Sequence, residues 1–279
     1  MTLPSLCIDD FNTPTPYLPA NCPEGPVLFH ADIFRAMRFG PRNGDRHQLL
    51  HCHLSNLQSI APERSLWMPA FNYDFLDSGR FNPDLDSSQV GPLSEAFRQQ
   101  ASFRSWTPVF GISSTSCMDQ PQRIKEIDPF DYCSDLGRLV QQQGVVVLYG
   151  APISSLTLIH VAERLAGGPL YRYDKIFNGV VGADSTDQWH VALRYHVRPL
   201  GVHFRYDWPR LCSELTRENL LISLDDYGIV YWAPAYDLMM FWIEQLRIDP
   251  LHFLDEKSRT WIEPELDRLG RRFEKGDFE

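Results

Sequence analysis

Residues 145–168 read VVVLYGAPISSLTLIHVAERLAGG. Val145–Tyr149 is an unbroken apolar run rich in β-branched residues, the pattern of a strand covered on both faces. Gly150–Ser155 (GAPISS) makes a turn. Ser154 or Ser155 can cap the helix that follows, over roughly 156–166, and Gly167-Gly168-Pro169 ends it. A strand, a turn and a helix in that order predict an α/β core with a ligand edge at the carboxyl end of the strand. His160 falls in the first two turns of this helix, where the positive end of the dipole disfavours imidazolium. A general base must be neutral, and a histidine so placed tends to stay neutral. The competing reading is a histidine packed on a helix face.

Working outward, Pro26–Phe29 and Ser65–Phe71 read as buried strands and Val109–Ser113 as another. After His30-Ala31-Asp32, the apolar residues Ile33, Phe34, Ala36 and Met37 repeat at helical spacing. Asn72–Gln89 is a loop long enough to suggest function. Pro92–Gln100 and Phe130–Gln143 read as helices. From Leu170 to Asp207 the alternation of Tyr, Val, His and Arg predicts antiparallel strands. Trp208–Leu221 is helical, Tyr227–Ala233 a strand and Asp237–Leu246 an amphipathic helix. The charged last twenty residues are helical too. Residues 1–25 read as an extended arm and 26–279 as one domain.

The chain has 279 residues, 43% of them hydrophobic and 13% aromatic. That suffices for a large core and argues against disorder. No apolar run approaches the roughly 20 residues of a bilayer span, and MTLPSLCIDDFNTP carries no targeting signal. A cytoplasmic protein without membrane contact is expected. Six scattered cysteines suit reduced thiols. A net charge of −10 repels nucleic acid. Oligomeric state, monomer or homodimer, is left open.

The chain lacks G-x-x-x-x-G-K-[ST], G-x-G-x-x-G and G-x-S-x-G, which sets aside the common phosphate-binding loops and the ordinary α/β serine hydrolase. His51-Cys52-His53 invites a metal. Taken as three neighbours on one strand, they point to alternate faces and cannot share an ion. No metal is expected.

Gly150, Ala151, Pro152, Thr157, His160, Ala162 and Glu163 fit a G-A-P-x-x-x-x-T-x-x-H-x-A-E pattern, and with it the chain resembles the aminoglycoside 3-N-acetyltransferase family. Other segments agree in order. Leu28–Asp32 is similar to a strand ending in H-[AS]-S-L, with Asp32 for serine. Met68–Phe71 sits where the family has a strand near the donor site. Arg104–Pro108 is similar to R-R-S-x-H-P, with Thr107 for histidine, and Gly228–Leu238 to a late G-x-V-G-x-A strand. The resemblance covers most of residues 26–246.

The resemblance implies an α/β fold with a mixed sheet core and an antiparallel insertion. It implies an N-acyltransferase that uses coenzyme A, with His160 as base and no covalent acyl-enzyme. An acidic residue in an F-x-x-[DE] context would orient the histidine: here Asp207, with Glu214 the alternative. Glu163, three residues after His160 on the same face, is a second candidate partner or an ordinary surface carboxylate. The donor would lie along His30, Ala31, Asp32, Ile33, Asn72, Arg104 and Ser105, with Arg104 on a phosphate. The acceptor pocket would involve Tyr73, Tyr173, Asp174 and Lys175. The acceptor would be an amine of an amino sugar, aminoglycoside-like or nucleotide-linked: Lys175 and the nearby Arg172, Arg194, Arg198 and Arg205 weaken the case for a polycationic aminoglycoside and leave room for an amino sugar carrying phosphate. Two other classes remain: a non-catalytic binding protein on this fold, and an acyl-CoA hydrolase.

Overall fold

The computed structural model describes residues 13–119, 123–183 and 187–279. The first twelve residues of the expected arm lie outside them. In chain order the first half holds β1 (Val27–Ala31), α1 (Arg46–Ile60), β2 (Leu66–Pro69), α2 (Phe75–Ser78), β3 (Arg80–Phe81), α3 (Pro92–Gln100), β4 (Phe103–Arg104), β5 (Ile112–Ser114), β6 (Glu126–Ile127) and α4 (Asp135–Gln141). There follow β7 (Val145–Tyr149), α5 (Leu158–Leu165), β8 (Tyr173–Val181), β9 (Trp189–Val197), α6 (Trp208–Arg217), β10 (Ile222–Ser223), β11 (Val230–Pro234), α7 (Ala235–Ile248) and α8 (Glu256–Leu269).

Seven strands form the main sheet, in the order β10-β11-β7-β1-β2-β5-β4. The central strands β7, β1 and β2 are parallel, and antiparallel strands flank them on both sides. Val145, Val147 and Tyr149 face one core together with Phe29, Leu57, Ile60 and Phe97, which brings α1 and α3 to that side. Val146 and Leu148 face the other, with Leu139, Leu158, Val161, Leu238 and Trp242 from α4, α5 and α7. Both faces of β7 are thus buried, which is why its sequence never alternates. Each such Val or Leu contributes about 1.5–3 kcal/mol on burial. A second sheet, β3-β8-β9-β6, is built on the long β8–β9 hairpin. This is the antiparallel insertion, and a third small core of Tyr171, Tyr173, Phe204, Ile262 and Phe273 lies beside it. The fold is therefore α/β with mixed sheets, as the sequence predicts.

Two local readings are corrected. His51-Cys52-His53 lie on α1, not on a strand. Asp45 and Gln48 make a capping box at its start. Its buried face carries His53 and Asn56, both bonded to the Tyr149 hydroxyl, at 2.7 and 3.0 Å, and these polar residues hide the helical apolar period. The helix expected from Phe130 starts only at Asp135, where the Ser134 hydroxyl accepts the Gly137 N–H. The described part of the arm packs down: Leu18 N–H donates to Ile60 O at 2.9 Å, and Arg64 Nε donates to Gly25 O at 2.9 Å.

The parallel pairing of β1 and β7 puts Ala31 opposite Tyr149, so the chain leaves both strands at the same edge. Gly150 makes the next turn at φ 70°. A Cβ there would lie 2.4 Å from Asp32 O, so only glycine lets the two exits pass this closely.

Candidate active site

Helix α5 is fixed by what it buries. Leu158, Ile159, Val161 and Ala162 are sealed against the sheet. Thr157 precedes the helix, and its carbonyl accepts the His160 N–H at 3.0 Å. His160 and Glu163 sit one turn apart on the face that remains.

His160 Nδ1 lies 2.8 Å from Glu163 Oε2. An ionised carboxylate only accepts, so Nδ1 carries the proton and Nε2 holds the lone pair. Nε2 has no hydrogen-bond partner among the described residues and is not sealed from solvent. The side chain keeps 22% exposure, while that of Glu163 has none. Burial lowers the basicity of His160, Glu163 pulls it back up, and Arg172 lowers it again; the balance is a histidine neutral at physiological pH.

Glu163 is the hub of a buried network. His196 Nε2 donates to the same Oε2 at 2.9 Å. The hydroxyls of Tyr171, at 2.8 Å, and Tyr206 donate to Oε1. Arg172 Nε approaches Oε1 to 3.5 Å and donates to the Tyr206 hydroxyl at 3.1 Å. Burial alone would raise the Glu163 carboxyl. The Arg172 charge and the two imidazole hydrogen bonds instead hold it well below the usual carboxylate range. The nearest atoms of His160, Glu163 and His196 fall within 4.8 Å of one another, as metal ligands would. The imidazole nitrogens that face Glu163 are both proton donors, however, and the Arg172 guanidinium stands beside the carboxylate. Such a set suits hydrogen bonding rather than a metal cation.

Asp207 does not orient the histidine. It caps α6, accepting the Arg210 N–H at 3.1 Å and pairing with Arg210 Nε at 3.3 Å. Glu214 pairs with Arg210 and His252. The expected F-x-x-[DE] context misses by one residue: its Tyr206, not its acid, reaches the site. The second candidate, Glu163, bonds the ring instead, and it is buried rather than on the surface.

At the shared edge of β1 and β7, a cavity of about 240 Å³ is lined by His30, Tyr73, Ser94, Ser154, Ser155 and Thr157, among others. Thr157 places it one helical turn from His160. His30 is 6% exposed, and its Nε2 is buried without a partner among the described residues. Burial lowers the His30 imidazole to about 4, so it is neutral. A second cavity of about 320 Å³ continues along Ala31, Asp32, Ile33 and Phe34 to Gly91 and Pro92 at the start of α3. Asp32 Oδ1 accepts the N–H groups of Phe34 and Arg35, at 3.0 and 3.4 Å.

Three donor-site expectations fall away from this edge. Asn72 ties its own loop to Ser87 O at 3.0 Å. Ser105 is buried, and its Oγ accepts from Thr107 and Ile112 N–H at 3.3 Å. Arg104 sits on β4, the far edge strand, with its guanidinium 5.5 Å from the Phe81 ring centroid; burial lowers it to about 10. It does not line either cavity and is not placed for a phosphate there.

Tyr73 lines the His30 cavity rather than a separate acceptor pocket. The other acceptor expectations are committed within the protein. Tyr173 and Lys175 each bond Glu279 at 2.8 Å, and Asp174 pairs with Arg164 at 3.1 Å. The sequence did not point to a cavity of about 380 Å³ between the stacked rings of Trp106 and Trp189 and the acids Asp128, Asp131 and Asp135. Phe130, between the first two acids, rests on the His160 ring with centroids 5.0 Å apart.

Comparison with known proteins bears on this arrangement. A curated relative, aminoglycoside N(3)-acetyltransferase III of Serratia marcescens, is 30% identical over 104 residues, 37% of this chain and 39% of that protein. The chain thus matches about two-fifths of that relative's length. The solved structure of aminoglycoside acetyltransferase AAC(3)-Xa shares the fold with a TM-score of 0.64 at 19% identity, over 84% of this chain and 89% of the other. AAC-IIIb, solved as a binary complex with CoASH, gives 0.64 at 19% identity over 82% and 92%. The YokD protein from Bacillus subtilis gives 0.62 at 14% identity over 82% and 89%. The family model described as aminoglycoside 3-N-acetyltransferase matches residues 50–220, which hold β7, α5 and the whole hairpin with Glu163 and both its histidines. The chain belongs to the aminoglycoside 3-N-acetyltransferase family.

Proposed function

We propose that the protein transfers an acetyl or other short acyl group from coenzyme A to an amine of an amino sugar, with residues 26–279 acting as one acyltransferase domain. The observation that carries this is the His160 imidazole, bonded at Nδ1 to a buried carboxylate and free at Nε2, one helical turn from the His30 cavity.

The cavity fits the arm of coenzyme A. Its polar groups are hydroxyls and one neutral imidazole with an unpartnered nitrogen, which suit the amides of pantetheine. Asp32 is the one charged side chain among the described residues lining the two cavities, which disfavours phosphates inside them; Arg35, exposed and three residues beyond Asp32, is a candidate partner outside. Bound coenzyme A supplies an acyl group activated as a thioester. His160 Nε2 takes the proton from the attacking amine as the N–C bond forms. Glu163 holds the opposite nitrogen and stabilises the imidazolium, in the manner of a buried acid behind a catalytic histidine. As the C–S bond breaks, His160 returns its proton to the departing sulfur. General base catalysis of this kind contributes about 10²–10⁴-fold.

An aminoglycoside-like acceptor is the better supported class. The cavity beside Phe130 sets Glu126, Asp128, Asp131 and Asp135 against Arg138 and Arg194, an excess of acid close to the base, although Asp128 is paired with Arg164. Arg172, one of the arginines behind the nucleotide-linked alternative, is committed to Tyr206 and Glu163. The test is free thiol released from acetyl-CoA with aminoglycosides or nucleotide-linked amino sugars as acceptors. Thiol release that requires an acceptor is expected. Release without one would identify a hydrolase, and none under any condition would leave a binding protein.

A further inference from the structure

His196 lies on β9, opposite Asp174 of β8, and its side chain is fully buried. The activity proposed above assigns it no task. It is nonetheless built into the site with care. Its Nε2 donates to Glu163 Oε2 at 2.9 Å, the oxygen that accepts His160 Nδ1 at 2.8 Å. Its Nδ1 is buried without a partner among the described residues. Leaving a buried polar atom unsatisfied costs stability, and an apolar side chain would avoid that cost. What the imidazole adds, and an apolar residue would not, is a donor on that one oxygen. Its ring stands 5.6 Å from the His160 ring, and both rest on Phe130.

We propose that His196 is a positioning residue: by sharing Glu163 Oε2 with His160, it limits how much of the carboxylate's charge reaches the base and keeps that base neutral and fixed. The inference deepens the acyltransfer reading, because it concerns the same imidazole.

The groups that face His160 set the sign. Glu163 on α5 is the one anion bonded to it among the described residues. Arg172, before β8, opposes protonation by its charge. The hydroxyls of Tyr171 and Tyr206 hold the other oxygen, Oε1. Phe130 covers the ring from the loop before α4 and carries no charge. One turn on, Arg164 is spent on Asp128 and Asp174. His196 itself is neutral, since burial lowers it to about 4. It therefore acts as a neutral donor. Removing it leaves Oε2 with His160 as its sole imidazole donor. The undivided carboxylate then favours imidazolium, and His160 takes up a proton at higher pH.

The readout is the titration of His160 in the unliganded full chain, followed by NMR with isotope-labelled histidine and assigned against His160→Ala. His196→Phe and His196→Asn, which cannot or can no longer reach Oε2, should raise the His160 midpoint by about half a unit to one unit. His196→Gln, whose amide can replace the Nε2 donor, should leave it near the unsubstituted value. The acidic limb of the activity profile should move upward in the same variants. Should His196→Phe, the larger side chain, overpack this sealed site and fail to fold, His196→Asn carries the same comparison without overpacking. An unchanged His160 midpoint in these variants, with only a lower melting temperature, would show a purely structural residue and overturn the proposal. Absence of acyl transfer in the unsubstituted protein would defeat the proposed function alone, because the titration needs no substrate.

Discussion

His160 donates its Nδ1 proton to Glu163 Oε2 at 2.8 Å, a contact made within a single turn of α5. The ring and its orienting carboxylate thus move as one body. The helix sets their spacing, while donors from Tyr171, His196 and Tyr206 hold the carboxylate in place.

Replacing Glu163 by Gln should therefore damage both activity and fold. The amide cannot balance Arg172, and breaking such a buried pair costs about 3–5 kcal/mol. It also fails to fix the tautomer of His160, which in comparable dyads costs up to about 10⁴ in turnover. Denaturant melts and kcat measured together check this. Asp207→Asn should cost about 1 kcal/mol or less, as a weakened helix cap, with turnover little changed. A reversed ranking of the two variants would mean that Asp207 orients the base.

His30→Phe should separate binding from stability. An aromatic ring is kept with a modest gain in volume, and a buried nitrogen that has no partner among the described residues is removed. The melting temperature should hold or rise. Affinity for coenzyme A, measured by calorimetry, should fall by about 5–10-fold, the worth of one hydrogen bond near 1 kcal/mol. Arg104→Ala should do the opposite, lowering stability and leaving that affinity unchanged. Unaltered affinity in His30→Phe would remove this nitrogen from the donor site.

Acid should weaken the fold early. His30, His53 and His196 are each lowered by burial to about 4 from an ordinary 6.5. Between those values the unfolded chain binds protons that the folded chain refuses, so stability falls as pH drops from 6.5 toward 4. Each histidine contributes at most about 1.4 kcal/mol per pH unit. Glu163, depressed in the fold, adds its loss only below the unfolded carboxylate value of about 4.3. Urea midpoints taken across this range should decline steadily below pH 6.5. A flat profile down to pH 5 would contradict the buried neutral assignments.

Much of the fold was legible because β7 and α5 advertise themselves by composition. Five apolar residues without alternation require cover on both faces, and the turn and helix after them set the ligand edge. Helix α1 was not legible as a helix, since its inward face includes His53 and Asn56, which bond Tyr149 across 96 and 93 residues. The placement of the candidate site was half legible. The position of His160 followed from its helix and its motif. Glu163 was readable as a partner or as a surface residue, and sequence alone did not choose between them. Its burial depends on donors from Tyr171, His196 and Tyr206, which only the tertiary fold brings together. The spacing of three between His160 and Glu163 was the available signal. Tyr173 and Lys175 misled for a similar reason, since their partner Glu279 is more than a hundred residues away.

The central claim is that His160 Nε2 is the base. The most direct measurement is the turnover of His160→Ala with acetyl-CoA and an accepted aminoglycoside, taken alongside its affinity for coenzyme A. A fall of about 10²–10⁴-fold in kcat with unchanged affinity is expected. Turnover within a few-fold of the unsubstituted protein would contradict the account.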